Sequence, residues 1–502
     1  MARRVCAIIG IAMFILGISL EARGQDDALA SRSADDPRLA NGQIDYLAMI
    51  NIQLKQGVTP ENNAVVPLLA ILGPQILEGV DQQVFLRELG LDKFPDEAPK
   101  LVLPHEHANH RGISEPSTEY NEWLAVLETT STTPWTGEQH PELAEWVSAN
   151  GPALGAIEQA SHLPRFFWPL VPADQRVSNF SEIRILTASQ EVYYQASDIA
   201  KLLAIRAMLR LGERDLDSAI RDIQTIRRLA ALMTQSLGSV ELLRSYYVAD
   251  FAFRAEIALI ESGVLTSEQC VAYRKNLKNP LVPSHLPQRL KTFERYIFLD
   301  AVQSLQRGEG ADLDLKFDLR QLDAAKIRNA DAFYDAMADC WQEPKPLNRF
   351  WKLAVWQNGL IELVKERGDI VKFIESDASI GDRSLYFGDF LVSLYAANFY
   401  RLAESETRQQ TNIDLLQLAL ALESYRLAHG VFPEKLGDLQ PDHIPSLPSD
   451  PYTERAFVYR MNSDGYQLYS IGPNEVDNQG KSRDESSSFD DHGITIRRPH
   501  SK

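Results

Sequence analysis

Cysteine is nearly missing: the 502-residue chain has three, Cys6, Cys270 and Cys340. So few in so long a chain exclude a disulfide scaffold, and Cys270 and Cys340 either form one bridge or remain two thiols. No Cys-x-x-Cys pair, Gly-x-Ser-x-Gly elbow or Gly-rich phosphate loop occurs, which removes the commonest sequence signatures of a reaction. Positive charge is also short, with 51 Lys and Arg against 69 Asp and Glu and a net charge of −18. Without surplus cations to neutralise phosphates, nucleic-acid binding and adsorption on anionic lipid are excluded as roles. Beyond the first twenty-odd residues no run is apolar enough to span a membrane. What is present is ordinary for folded protein: 44% hydrophobic and 24% charged residues, in a chain long enough for two or three domains.

The N-terminus reads as a leader. Arg3 and Arg4 make a charged n-region, Val5 to Leu20 are sixteen largely apolar positions, and Ala22-Arg23-Gly24 is a small-x-small cleavage site. That apolar length is short for a full span, which favours cleavage after Gly24; an uncleaved leader would be a membrane anchor. Export to the periplasm or cell surface is therefore expected. A polar linker over residues 25–41 follows.

From residue 42 to 408 the spacing predicts an α-helical domain without visible internal boundaries. The signal is strongest from Ser181 to Gln235. There an apolar-faced helix ends at Gly212, Asp215-Leu216-Asp217 caps a second, and the pair reads as an αα-hairpin. Similarity at the period of a helical-repeat array is not found, so an irregular helical layer is expected rather than a solenoid. Phe166-Phe167-Trp168, set between Pro164 and Pro169, reads as an aromatic plug in the core. Helical spacing resumes over Gly388 to Ala403 and Asn412 to Ala428, which can be read as one long helix with a polar interruption at Glu404 to Gln410.

One cluster in this domain has metal chemistry in its residue types. His105, His107 and His110 lie close together with Glu106 among them, in a segment, Pro95 to Glu115, that reads as irregular. Three imidazoles around zinc with Glu106 as base would make a metal-dependent hydrolase, whereas solvated or capping histidines are the plainer reading. The His-Glu-x-x-His register of a metalloprotease helix is not met.

The most specific stretch is Leu415 to Asp491. A helix ends in Ser424-Tyr425-Arg426-Leu427-Ala428-His429-Gly430-Val431-Phe432-Pro433, where Gly430 can take the left-handed conformation and Pro433 prevents renewal. Pro448-Ser449-Asp450-Pro451-Tyr452 follows as a loop. A two-stranded ribbon then runs over Ala456 to Arg460 and Tyr466 to Gly472, turning at Asn462 to Gly465. Alternation puts Tyr466, Leu468 and Ser470 on one face and Gln467, Tyr469 and Ile471 on the other. An acidic loop closes at Asp490-Asp491.

These three segments, in this order, resemble the globular head of the type II secretion major pseudopilin, the general secretion pathway protein G family. The resemblance implies an α+β head over residues 409–496, with a tail at 497–502. It also implies a loop that holds calcium through carboxylates and carbonyls, which here would use Asn474, Asp477, Asp490 and Asp491. Asn474 stands where the family has Asp, Asp490 and Asp491 are adjacent rather than spaced, and Asp484 to Ser488 lengthens the loop. The bland alternative is a solvated acidic loop. The family's own prepilin-peptidase site and apolar N-terminal helix do not precede this head, so pilus membership does not follow. The expected whole is a mainly α, exported protein, a helical body before a head of long helix plus antiparallel hairpin. Its expected role is non-enzymatic, with calcium as ion and a cell-envelope protein as partner.

Overall fold

The computed structural model describes residues 36–96, 98–172, 184–188, 191–277, 286–307, 316–395, 399–482, 485–486 and 489–498. The leader over residues 1–24 lies outside them, as does the linker up to residue 35. Helices dominate, joined by one small antiparallel sheet. The first seven helices are short: α1 Tyr46–Leu54, α2 Val65–Leu72, α3 Gln82–Leu89, α4 Pro104–His110, α5 Thr118–Thr132, α6 Pro141–Ala149 and α7 Gly151–Ala160. Next come α8 Glu191–Gly212, α9 Leu216–Met233, α10 Ser239–Ser262, α11 Ser267–Asn276 and α12 Leu286–Arg307. Then come α13 Ala332–Trp341, α14 Pro346–Arg367, α15 Ile380–Tyr395 and α16 Phe399–His429, before strands β1 Val458–Asn462, β2 Gly465–Ser470 and β3 His492–Arg497. Among the described residues no helix is long and apolar enough to cross a membrane.

The αα-hairpin forms where its capping residues predict. Asp215 Oδ1 accepts the N–H of Ser218 and starts α9, and Arg214, with φ of 66°, supplies the left-handed turn after α8. The pair is then locked by charge. Asp222, on the buried side of α9, receives Arg206 Nε at 3.0 Å and Arg210 at 2.6 Å from α8. Two cations satisfy the oxygens of one desolvated carboxylate, which is the condition under which a buried ion pair is tolerable. Across α8 and α9 lies α10, the third member of the central layer.

Phe166, Phe167 and Trp168 are buried at 4, 1 and 2% exposure, so the aromatic run is a core plug. Its backbone is held by side chains: Asn63 exchanges hydrogen bonds with both the N–H and C=O of Phe167, at 2.9 and 3.0 Å. The histidine segment departs from the expected irregular chain. Pro104 stands at the first helical position, where its fixed φ suits a helix, and Glu106 accepts the Leu103 N–H at 2.8 Å.

The polar stretch Glu404 to Gln410 is likewise not an interruption. It lies inside α16, and its polar groups find partners across the interface. Gln409 donates to Asp250 of α10 at 2.8 Å, Arg408 pairs with the same carboxylate, and Arg349 of α14 reaches Glu406 at 3.1 Å. Further on, Leu415, Leu416, Leu418, Leu420 and Leu422 are all at 2% exposure or less. A helix apolar around its circumference must be surrounded, and α16 packs on α10, α11 and α14 as well as on β2 and β3. One contiguous cluster of buried apolar residues runs from Ile44 to Ile496, so the sheet shares the core of the helical body.

The sheet has three strands in the order β1-β2-β3, all antiparallel, where the sequence predicts a ribbon of two. The third strand, His-Gly-Ile-Thr-Ile-Arg, was hidden behind the acidic loop, yet Ile494 and Ile496 alternate inward at 2 and 0% exposure. After β3, Arg498 fastens the sheet to the body. It donates to the Ile260 carbonyl at the end of α10 at 2.7 Å, also to the Glu261 carbonyl, and pairs with Glu423 of α16 at 2.8 Å. Cys270 and Cys340 are both free thiols.

Two outcomes follow from this packing. Glu423 is desolvated and shared between Arg498 and Arg426, so Arg498→Ala should cost about 2 kcal/mol in urea unfolding, as removal of one partner of a buried pair does; a loss near zero would contradict the clasp. Glu294 of α12 is buried at 3% exposure beside the Ser239 N–H, and burial pushes its carboxyl from 4.5 up to about 7. The fold thus holds a proton that the unfolded chain releases earlier, and its contribution to stability falls as pH rises from 4.5 to about 7. Glu294→Gln should remove that part of the decline in melting temperature, and an unchanged slope would contradict it.

Candidate cation-binding loop

The loop from Ile471 to Asp491 leaves β2, folds back over the sheet and returns to β3. Gly472 makes the exit. Its φ of +66° is left-handed, and a Cβ there would lie 2.3 Å from the Asp490 carbonyl oxygen, so the two ends of the loop touch at this residue. Gly480, also left-handed at +79°, passes against the ring of Tyr469, which is 1% exposed. The loop is therefore a lid on the outer face of β2.

Three of the four predicted ligands meet where the loop closes. Asp490 Oδ2 accepts the Asn474 N–H at 2.9 Å, and Asp491 Oδ2 accepts the Gly480 N–H at 2.7 Å. Asn478, which sequence reasoning passed over, joins them: its Oδ1 takes the Asp490 N–H and the Asn474 amide, each at 3.4 Å. The signal for it was local, since Asn478-Gln479-Gly480 is a turn sequence with left-handed φ at its last two residues.

Asp477 lies to one side. Its Oδ2 pairs with Arg460 of β1 at 2.6 Å, and its Oδ1 accepts the Tyr469 hydroxyl at 3.0 Å and the Gln479 N–H at 2.8 Å. A guanidinium already serves that carboxylate. The donors nearest the closure are then Asp490, Asp491, Asn474 and Asn478, a set of hard oxygens of the kind calcium takes together with backbone carbonyls. Among the described residues no three His, Cys, Asp or Glu side chains gather as a ready metal cluster.

Asp491 carries the tension of the site. The residue is 2% exposed and its Oδ1 is buried with no hydrogen-bond partner. Burial raises its carboxyl above the ordinary carboxylate range, against the Gly480 and Asn478 backbone N–H groups, which lower it, and Asp477, which raises it further. His492 Nε2 donates to Asn412 Oδ1 of α16, which ties the first residue of β3, next to Asp491, to the long helix.

The loop before the sheet has a supporting part. Asp450, in Pro448-Ser449-Asp450-Pro451-Tyr452, is buried at 2% exposure and accepts the Ser470 hydroxyl at 2.9 Å, the Tyr452 N–H at 2.9 Å and the Thr453 hydroxyl at 3.1 Å. It ties that loop to the end of β2, one residue before Ile471.

The histidines do not converge. On α4, His105 and His107 point to different sides, as residues two apart on a helix must, and His105 and His110 are exposed. His107 lies between tryptophans, stacked on Trp146 at 5.0 Å and near Trp123 at 5.3 Å. Burial lowers its basicity, which suits a packed neutral ring. Glu106, the proposed base, is spent on capping its own helix.

Comparison with protein-family models, with curated proteins and with solved structures gives no match. The Asp491 carboxyl yields a signed expectation. The fold favours its protonated form, so in chelator stability should fall as pH rises through its raised value. Asp491→Asn should raise the melting temperature at pH 7 in chelator and flatten that dependence; a lower melting temperature with the same slope would show the carboxylate to be well satisfied.

Proposed function

We propose that this is an exported, non-enzymatic protein of the bacterial cell envelope, whose helical body presents a pseudopilin-like head closed by calcium for protein–protein interaction. The reading joins three strands of argument: the leader pattern of residues 1–24, the ordered motifs from Leu415 to Asp491, and the loop. The observation that carries it is the buried, unpartnered Asp491 Oδ1 beside Asp490 at the closure of the loop.

Asn474, Asp490 and Asp491, with Asn478 and backbone carbonyls, would hold the ion, and Asp477 would stand at its edge. Bound calcium supplies positive charge that offsets two adjacent carboxylates in a dry setting. The protein's own part is positional. Arg460 and Tyr469 hold Asp477, Asn412 holds His492, and Gly472 lets the chain approach Asp490 closely. Without the ion the same carboxylates repel, and the lid over Tyr469 loosens. Such a head offers a partner a surface whose order depends on extracytoplasmic calcium, as an envelope scaffold or at the edge of a type II secretion assembly.

Calcium titration of the full chain tests this. At a concentration a hundredfold above Kd the stabilisation should be about 2.7 kcal/mol. Asp490→Ala with Asp491→Ala should abolish the shift while leaving the folded helical signal. Magnesium, which demands a tight octahedron, should give less. No shift at millimolar calcium would leave the solvated-loop reading instead.

A further inference from the structure

Away from the head, α8 and α10 carry the half-exposed rings of Tyr194 and Tyr247, with Phe251 buried beneath them. On α10, Val240, Arg244, Tyr247, Phe251 and Arg254 recur at helical spacing and share one face, along roughly 21 Å of helix. Val240 is 51% and Tyr247 43% exposed. Alongside, α8 presents Tyr194, 49% exposed, and Lys201 two turns on. Contacts join the two stripes into one patch. The Arg244 guanidinium lies 4.2 Å from the Tyr194 ring centre, and Lys201 Nζ lies 6.0 Å from that of Phe251. Tyr247 meets Phe251 edge-on at 5.3 Å.

Positive charge enters this patch through Arg244, Lys201 and Arg254, with Glu191 and Asp198 the acidic members of the α8 stripe. Arg254 is matched by Glu128 of α5 at 2.5 Å, but among the described residues no carboxylate forms an ion pair with Arg244 or Lys201. Asp198 tempers Lys201 from the same helix without pairing with it. Two cations without an ion-pair partner, one of them against a tyrosine ring, thus sit among exposed apolar side chains on a protein of net charge −18. Arginine and tyrosine are the residues that most often dominate binding energy at protein interfaces. Anionic lipid is disfavoured as the occupant, because the acidic remainder of the surface would be repelled from it.

We propose that this face docks an acidic amphipathic segment of a partner protein. Its carboxylates would meet Arg244 and Lys201, and its apolar side chains would lie on Tyr194, Val240 and Tyr247. The length of the stripe suits about four turns of helix. The proposal does not rest on calcium or on the head.

The test uses fluorescein-labelled amphipathic peptides of on the order of 15 residues, one with a Glu and Leu stripe and one with Lys in place of Glu. Each is titrated with the full chain and followed by anisotropy. The acidic peptide should bind, weaken with added salt, and lose at least tenfold in affinity both with Lys201→Glu plus Arg244→Glu and with Tyr194→Ala plus Tyr247→Ala. All these positions are surface ones, and circular dichroism melts confirm that the variants are folded. Equal binding of the two peptides, no binding of the acidic one, or affinity unchanged by both variants would overturn the proposal. So would concentration-dependent dimerisation abolished by the same substitutions, which would make a second copy of the chain the occupant.

Discussion

The structure depends on the burial of α16. Its leucines from Leu415 to Leu422 are enclosed by α10, α11 and the sheet, and each such side chain is worth about 1.5–3 kcal/mol of transfer free energy. The helix can be surrounded only if the groups at its polar end are satisfied as well, and Asp250, Gln409 and Asn412 do that for each other at 2.8 and 3.3 Å. Body and head are therefore two sides of one helix rather than beads on a linker. Glu423, with Arg426 and Arg498, repeats the device at its other end.

From that constraint the character of the acidic loop follows. Asn412 holds His492, His492 is the first residue of β3, and Asp491 precedes it inside the fold. A free loop would turn such a carboxylate to water. Here it is buried, and the backbone N–H of Gly480 answers only one of its oxygens. Asp477, which looked equivalent in the sequence, is exposed enough to pair with Arg460. The two aspartates differ in chemistry because they differ in attachment.

Much of the fold was legible because its signals are local. The Asp215 cap, the Gly430 helix end (φ +79°), the turn between Asn462 and Gly465, and the inward set Tyr466, Leu468 and Ser470 all follow from neighbours in sequence. What escaped is what depends on distant partners. Glu404 to Gln410 reads as a polar interruption of a long helix until Asp250 and Arg349 are beside it, and β3 goes unread until β2 pairs with it. Of the candidate site, Asn474, Asp490 and Asp491 were legible from motif order, whereas Asn478 and the diversion of Asp477 were not. The histidines failed for a geometric reason: proximity in sequence on a short helix is divergence in space.

The claim that matters most is that the loop over Tyr469 is held shut by a divalent ion acting on Asp490 and Asp491. Hydrogen–deuterium exchange of the Asn474 and Gly480 amides, which donate to those two carboxylates, reads it directly. In millimolar calcium these amides should exchange at least tenfold more slowly than in chelator, with no change in the amides of α8 and α9. Equal exchange rates at Asn474 and Gly480 in the two conditions would contradict the account.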